Sequence, residues 1–290
     1  MVTKSIRSIP RSDWQTGPLH PLTHIPDPPE TLYYQGNLPG SHLALLTVVG
    51  SRQYSSYGKQ VVTELIAGLA QYPIGIISGL ARGIDGLAHE AALHAGLYTL
   101  AIPGSGLGRS VLYPARHRGL AEQILQAGGG LLSELPPNTR AARWTFPQRN
   151  RVMAGLAQAT LLIEAAEKSG TLITARLCVE YDRELLVTPG NIFSPLSYGT
   201  HQFLKLGATP VTTSADIVSA LQLEHTAPDE QPLQLTRTEA AVFDALQEPV
   251  PIDVIIKRTD YTEREVSTAL MALEMKSYIC SSNGLYHRNI

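Results

Sequence analysis

Arginines in this chain stand beside glycines in the loops that follow apolar runs, a placement suited to gripping phosphate. Arg52 sits in Gly50-Ser51-Arg52, directly after the run Leu43–Val49. Arg82 and Gly83 belong to the segment Ser78-Gly79-Leu80-Ala81-Arg82-Gly83-Ile84-Asp85, just ahead of a helical pattern. Arg109, Arg116 and Arg118 fall between residues 103 and 118, and Arg140, Arg143, Arg149 and Arg151 between 139 and 151, with no acid in either stretch. Guanidinium forks take phosphate oxygens in pairs and stack on rings. Tyr54, Tyr57, Tyr113 and Phe146 lie among these arginines, which together is how a groove for single-stranded nucleic acid is built. Small residues let a backbone approach a ligand, and a helix beginning soon after Gly50 adds a positive dipole end.

The familiar motifs of phosphate and metal chemistry are missing. From Gly50 to Gly58-Lys59-Gln60 there are seven intervening residues where a P-loop has four, and Gln60 replaces the Ser or Thr that would hold magnesium. Gly104-Ser105-Gly106-Leu107-Gly108 has Arg109 where the dinucleotide spacing needs a further glycine. His89 and His94 are five apart, which turns them to different faces of a helix. Two cysteines, Cys178 and Cys280, make neither a disulfide framework nor a zinc cluster. No G-x-S-x-G elbow occurs. No metal and no cofactor are expected. Three further residues are open to two readings each. Asp85 is a base, or it caps its helix or pairs with Arg82. Lys168-Ser169-Gly170-Thr171 is a phosphate nest with Thr171 or Thr174 donating, or a simple N-cap. Glu164, at a strand end, is a catalytic acid or is structural.

The elements that must position these residues follow from periodicity. Apolar runs at Leu43–Val49, Ile74–Ile77, Tyr98–Ile102, Gly130–Leu132, Thr160–Ile163 and Glu184–Thr188 alternate with helical patterns at Tyr57–Ala70, Ile84–Ala95, Arg118–Ala127, Arg149–Ala157 and Leu172–Tyr181. Such alternation implies βαβ units and a mostly parallel, doubly wound Rossmann-like sheet. In that fold ligands bind outside the carboxyl ends of the strands, where the Gly-rich turns fall. Prolines at 10, 18, 21, 26, 28, 29 and 39 set residues 1–40 apart as an extended Pro-rich tail, leaving 41–222 as the α/β domain. Residues 223–232 read as a linker. Residues 233–290 carry three short helical patterns, Thr238–Leu246, Ile252–Arg258 and Glu263–Lys276, then a hairpin with Asn283-Gly284, and so resemble a small winged helix.

Composition agrees with an ordinary globular chain: 290 residues, 43% hydrophobic and 17% charged, with a net charge of −2. A polyanion site must therefore be a local concentration of cations. The longest apolar run is far short of a membrane span, and the first residues lack a secretion signal, so a cytoplasmic protein without membrane contact is expected.

With these pieces placed, the sequence resembles the DNA-processing protein A family (DprA/Smf) over residues 30–290. The matching segments are Val48-Val49-Gly50-Ser51-Arg52 with Ser55 to Gly58, SGLARGID at 78–85, Tyr113-Pro114, FPQRNRVMAGL at 146–156, KSGTLITA at 168–175, Pro189-Gly190 and Gly199-Thr200. The resemblance implies an extended Rossmann-like fold and a non-enzymatic protein that binds single-stranded DNA. It also implies a partner, a RecA-type recombinase loaded on incoming DNA during natural transformation, and a homodimer. By the resemblance Arg52, the Ser78–Gly83 turn with Ser78, Gly79, Arg82 and Gly83, the pair Arg149 and Arg151, and Lys168 face the DNA; the reading of loops and rings adds Gly50, Ser51, Ser55, Tyr57, Gly58, Arg116, Phe146, Asn150, Ser169, Gly170 and Thr171 to the expected DNA-binding residues. Departures lie in the loop from Gly106 to Tyr113, which is longer and lacks the family's Asp, and in His117 and His201, which replace asparagines. The Pro-rich first 40 residues are not expected to form the N-terminal helical domain found in many members.

An alternative reading is a nucleoside-monophosphate phosphoribohydrolase of the LOG type, but its PGGxGTxxE signature is replaced here by SGTLITA, with no Glu three residues after Thr171. Residues 233–290 have six basic and eight acidic side chains, and Glu263 and Glu265 open the would-be recognition helix. Duplex binding by that surface is not expected, and a protein-contact or regulatory role is.

Overall fold

The computed structural model describes residues 5–223, 235–276, 278–282 and 284–288. The chain divides into two compact units, Met1–Thr226 and Ala227–Ile290.

The first unit is built on a nine-stranded sheet. Its strands are β1 (Arg7–Pro10), β2 (Thr31–Gly36), β3 (Ala44–Val49), β4 (Ile74–Ser78), β5 (Tyr98–Ala101), β6 (Gly130–Ser133), β7 (Ala159–Leu162), β8 (Glu184–Val187) and β9 (Thr209–Pro210). They lie in the order β1-β2-β6-β5-β4-β3-β7-β8-β9. From β6 to β9 every pairing is parallel, whereas β1 and β2 run antiparallel to each other and β2 antiparallel to β6. β3 is buried at every position, as expected for a central strand covered on both faces. Chain order reverses at β3, whose neighbours are β4 and β7, and that is the topological switch point.

Helices cover both faces. On one, α1 (Ser56–Ala67) and α2 (Ile84–His94) bury Val62, Ile66, Ile84 and Ala88 against Leu46, Val48 and Ile76. α3 (Arg118–Gln126) packs Leu120 and Ile124 beside them on Leu80 and Leu131. On the other face, α4 (Thr145–Leu156), α5 (Thr171–Glu180) and α6 (Tyr198–Lys205) place Val152, Met153, Leu156, Ala175 and Phe203 in a second core with Val49, Ile77 and Leu162. α7 (Ser214–Ala220) contributes Ile217 and Val218 to the first core. The mostly parallel, doubly wound architecture is the one that the alternating pattern predicts.

Two readings of the sequence change here. Residues 5–40 are not a tail laid on the body: β1 and β2 extend the sheet, and Trp14, Leu19, Leu22 and Leu32 are buried in the core under α4. Prolines allow this because Pro10 ends β1, Pro21 opens a 3-10 turn at His20–His24, and β2 itself has none. α4 starts at Thr145 rather than Arg149, since Pro147 falls in the first turn, where no amide donor is needed.

His89 shows how tightly the α2 side is closed. The Thr99 hydroxyl donates to Ile76 O at 3.0 Å, so its oxygen accepts from His89 Nδ1 at 2.7 Å. Burial pushes the His89 pKa down to about 3. The unfolded chain takes up this proton near 6.5, so its contribution is complete above that pH and is lost as pH falls towards the folded value. The slope approaches about 1.4 kcal/mol per pH unit in that window. Denaturant unfolding of His89→Gln should show a flatter fall of stability on acidification than the native chain, and parallel slopes would contradict this account.

The second unit holds α8 (Arg237–Asp244), α9 (Ile252–Arg258), α10 (Glu263–Met275) and the hairpin of β10 (Ile279–Ser282) with β11 (Leu285–Arg288). Capping boxes start α8 and α10, at Thr236 with Glu239 and Thr262 with Glu265. Val242, Leu246, Ile255, Val266, Leu270 and Leu273 form its own core. Among the described residues no helix is long and apolar enough to cross a membrane.

Candidate nucleic-acid interface

A cleft of about 560 Å³ opens at the switch point, between the loops that leave β3 and β7. Gly50, Ser51 and Arg52 line one side, Lys168, Ser169, Gly170 and Thr171 the other, and Phe146, Arg149 and Asn150 of α4 complete it. The Thr171 hydroxyl donates to Gly50 O at 3.0 Å and so ties the two loops together. Arg52 is exposed and lies over the Phe146 ring, 5.2 Å from its centroid. Tyr113 meets Phe146 edge-on at 5.7 Å, so the rim is a short ladder of cation and rings.

The anion-attracting ends of the three nearby helices are not equivalent. Ser55 caps α1, and the Glu164 carboxylate covers the same end, accepting from Ser55 N at 3.0 Å and Ser55 Oγ at 2.5 Å. A Cβ on Gly58 would overlap that carboxylate. The place the sequence suggests for a phosphate, at the start of α1, is therefore filled from within, because a buried carboxylate needs the donors of a helix start as much as a phosphate does. This also gives Glu164 its structural reading. The turn at Ser78–Gly83 is used similarly: Asp85, largely buried, accepts from the amides of Gly79 and Ala81. Only α5 of the three has neither a side-chain cap at its N-cap residue nor an acid in its first turn.

Arg149 holds this architecture from inside. Its side chain donates to Gly79 O at 2.5 Å, to Ile102 O, and through Nε to Asn150 Oδ1 at 3.0 Å. It thereby staples the ends of β4 and β5. Burial pushes its pKa down to about 10 and pushes Asp85 up, and the attraction between the two charges opposes both shifts. A Cβ on Gly79 would overlap the Arg149 guanidinium, which is why that position in the turn has no side chain. Asp85 thus answers to Arg149 rather than to Arg82, which is exposed.

The other sequence candidates lie apart from the cleft. Arg151, two residues from Arg149 and so on another face of α4, is bound to Asp27 at 2.6 Å and Glu134 at 2.5 Å. Ser55 and Gly58 are committed to Glu164, and the Tyr57 hydroxyl donates to Pro189 O at 2.5 Å. Ser78 donates to Val48 O at 2.6 Å, Gly79 and Gly83 shape the turn before α2, and Arg82 and Arg116 are exposed outside the cleft lining. Arg109 is paired with Glu122 at 3.2 Å. Arg52, Arg82, Arg116, Arg140, Arg143 and Lys168 make no ion pair among the described residues. Sequence reasoning missed Gln53 and Leu196 in the cleft lining, since they carry no motif, and Ile173, an apolar residue inside the 168–175 segment with no chemistry to single it out.

Comparison with known proteins places the chain in a family and agrees with its fold. A profile for DNA recombination-mediator protein A matches residues 10–222, and one for the DprA winged helix domain matches residues 226–284. The chain belongs to the DNA recombination-mediator protein A family. Protein Smf of Escherichia coli is 38% identical over 273 residues, covering 90% of this chain and 72% of that protein. DNA processing protein DprA of Streptococcus pneumoniae is 38% identical over 203 residues, 69% of this chain and 70% of that one. Its X-ray structure superposes with a TM-score of 0.68 at 36% identity over 74% of each chain. A Helicobacter pylori DNA processing protein A, solved for its single-stranded DNA binding mode, superposes at 0.64 with 26% identity, over 76% of this chain and 96% of that one. The mediator-family match begins at residue 10, so it includes β2 and the buried N-terminal segment described above.

Proposed function

We propose that the first unit binds single-stranded DNA along the carboxyl rim of its sheet, without catalysis, and that the protein helps load a RecA-type recombinase on incoming DNA in natural transformation and recombination. The observation that carries this reading is one shared cleft: Arg52, Lys168 and the start of α5 supply positive charge beside the Phe146 and Tyr113 rings. Backbone phosphates meet the cations and bases stack on the rings, so recognition is largely independent of sequence. Exposed Arg82, Arg116, Arg140 and Arg143 extend the positive surface available to a strand. Arg149 contributes charge, its Nη1 being directed to the carbonyls of Gly79 and Ile102 and its Nε to Asn150, while Arg151 works in the scaffold. A hydrolase of the LOG type loses its support at Thr174, which stands where that chemistry needs a glutamate.

Loading a recombinase and acting as a homodimer both require protein surface. Ile192, Phe193, Tyr198 and Leu206 are exposed near the β8–β9 edge, an apolar surface suited to association. In the second unit Glu265 folds back on Thr262 and Glu263 is exposed in the first turn of α10, which favours a protein contact over duplex binding.

The test is a salt titration of the native chain with single- and double-stranded oligonucleotides of mixed sequence. Single strands should bind tighter and similarly to one another, with log affinity falling by about 0.7 per decade of salt for each phosphate contacted. Salt-independent affinity or a preference for duplex would end the reading. Light scattering should return twice the chain mass, and incubation with nucleotides should release no free base.

A further inference from the structure

Two donors in the cleft are left over by the fold. Asn150 is 7% exposed and lines the cleft; its Oδ1 accepts from Arg149 Nε, and its Nδ2 has no hydrogen-bond partner among the described residues. Thr174 is 1% exposed, lies on the first turn of α5 and lines the same cleft, and its hydroxyl likewise has none among the described residues. Both side chains are more than nine-tenths buried and line the cleft, so a ligand that fills it can complete these two hydrogen bonds. With Arg52 and Lys168 they place four donor side chains around one cavity.

We propose that this cleft receives a phosphomonoester, either the phosphate at the end of a DNA strand or that of a free nucleoside monophosphate. The proposal rests on the single-strand reading above and goes past it by distinguishing a strand's end from its interior. A phosphomonoester presents three peripheral oxygens and a charge of about −1.5 to −2, against two oxygens and −1 for a diester. The first turn of α5 carries no acid, its Thr171 amide donating to the neutral Ser169 Oγ at 3.3 Å, so the helix end favours the higher charge. Asp85 also lines the cleft, but the Gly79 and Ala81 amides and the Arg149 charge compensate its carboxylate. The cavity is of the size that holds small ligands, and Phe146 in its wall offers a face for the attached base. Glu164 occupies the neighbouring helix start, so the start of α1 offers no second phosphate seat.

The experiment uses the full chain and fluorescence anisotropy at one salt concentration. Oligothymidylates of equal length are compared with a phosphate or a hydroxyl at the 5′ end, and again at the 3′ end, the label being on the opposite end. Thymidine monophosphate, thymidine and inorganic phosphate serve as competitors. A strand with a terminal phosphate should bind about tenfold tighter than its hydroxyl counterpart, and Thr174→Val should shrink that ratio. End preference without displacement by the monophosphate assigns the site to strand ends. Displacement by the monophosphate, but not by thymidine, without end preference assigns it to free nucleotides. Equal binding of all strands with no displacement overturns the proposal and leaves the single-strand reading intact. Failure of every strand to bind removes that reading, and the proposal with it. The native comparison decides even where Thr174→Val does not fold.

Discussion

Replacing Arg149 with alanine is expected to destabilise the first unit by about 3–5 kcal/mol, the range for removing one partner of a buried charge pair. Its guanidinium satisfies the carbonyls of Gly79 and Ile102 and faces buried Asp85, so its loss leaves unpaired acceptors at the ends of two strands beside an uncompensated carboxyl. Chemical denaturation measures the effect directly. Asp85→Asn should recover part of it in the Arg149→Ala background, because the second change removes the stranded charge. If Arg149→Ala keeps native stability, the staple joining β4 and β5 is not what holds the rim. Any DNA-binding defect of this variant must be judged against its folded fraction.

The second large effect belongs to binding alone. Arg52 and Lys168 are exposed, form no ion pair among the described residues, and stand on opposite walls of the cleft. Changing both to alanine should leave stability within about 0.5 kcal/mol, as surface substitutions do. Single-strand affinity should fall by about 100-fold at low salt, charge-assisted hydrogen bonds being worth about 1.5–3 kcal/mol each. The salt slope should become shallower by about 1.4 if each side chain neutralises one phosphate. The loss should be alike for oligonucleotides of different sequence, since backbone contacts carry no base information. A double variant with native affinity and slope would place the DNA elsewhere on the molecule.

Much of the frame was legible because a buried parallel strand is an apolar run and its loop must turn sharply at the ligand edge. Leu43–Val49 followed by Gly50-Ser51-Arg52 carries both facts within ten residues, and the segment 168–171 does so again after β7. What periodicity cannot convey is which partner a side chain meets across the fold. Glu164 reaches Ser55 over 109 positions of chain, and nothing local announces that it fills the start of α1. The separation of Arg149 from Arg151 was available in principle, since two residues on a helix turn a side chain by about 200°. β2 was hidden by the prolines around it, and its place depends on β6, about a hundred residues further on.

The carboxylate of Glu164 has a consequence for selectivity in a crowded solution. Nucleoside triphosphates and dinucleotide cofactors carry linked phosphates that need adjoining seats, and one of those seats is permanently taken by the protein's own acid. Such metabolites would have to evict it and strand it among repelling charges. The start of α1 is thereby closed to the linked phosphates of such metabolites.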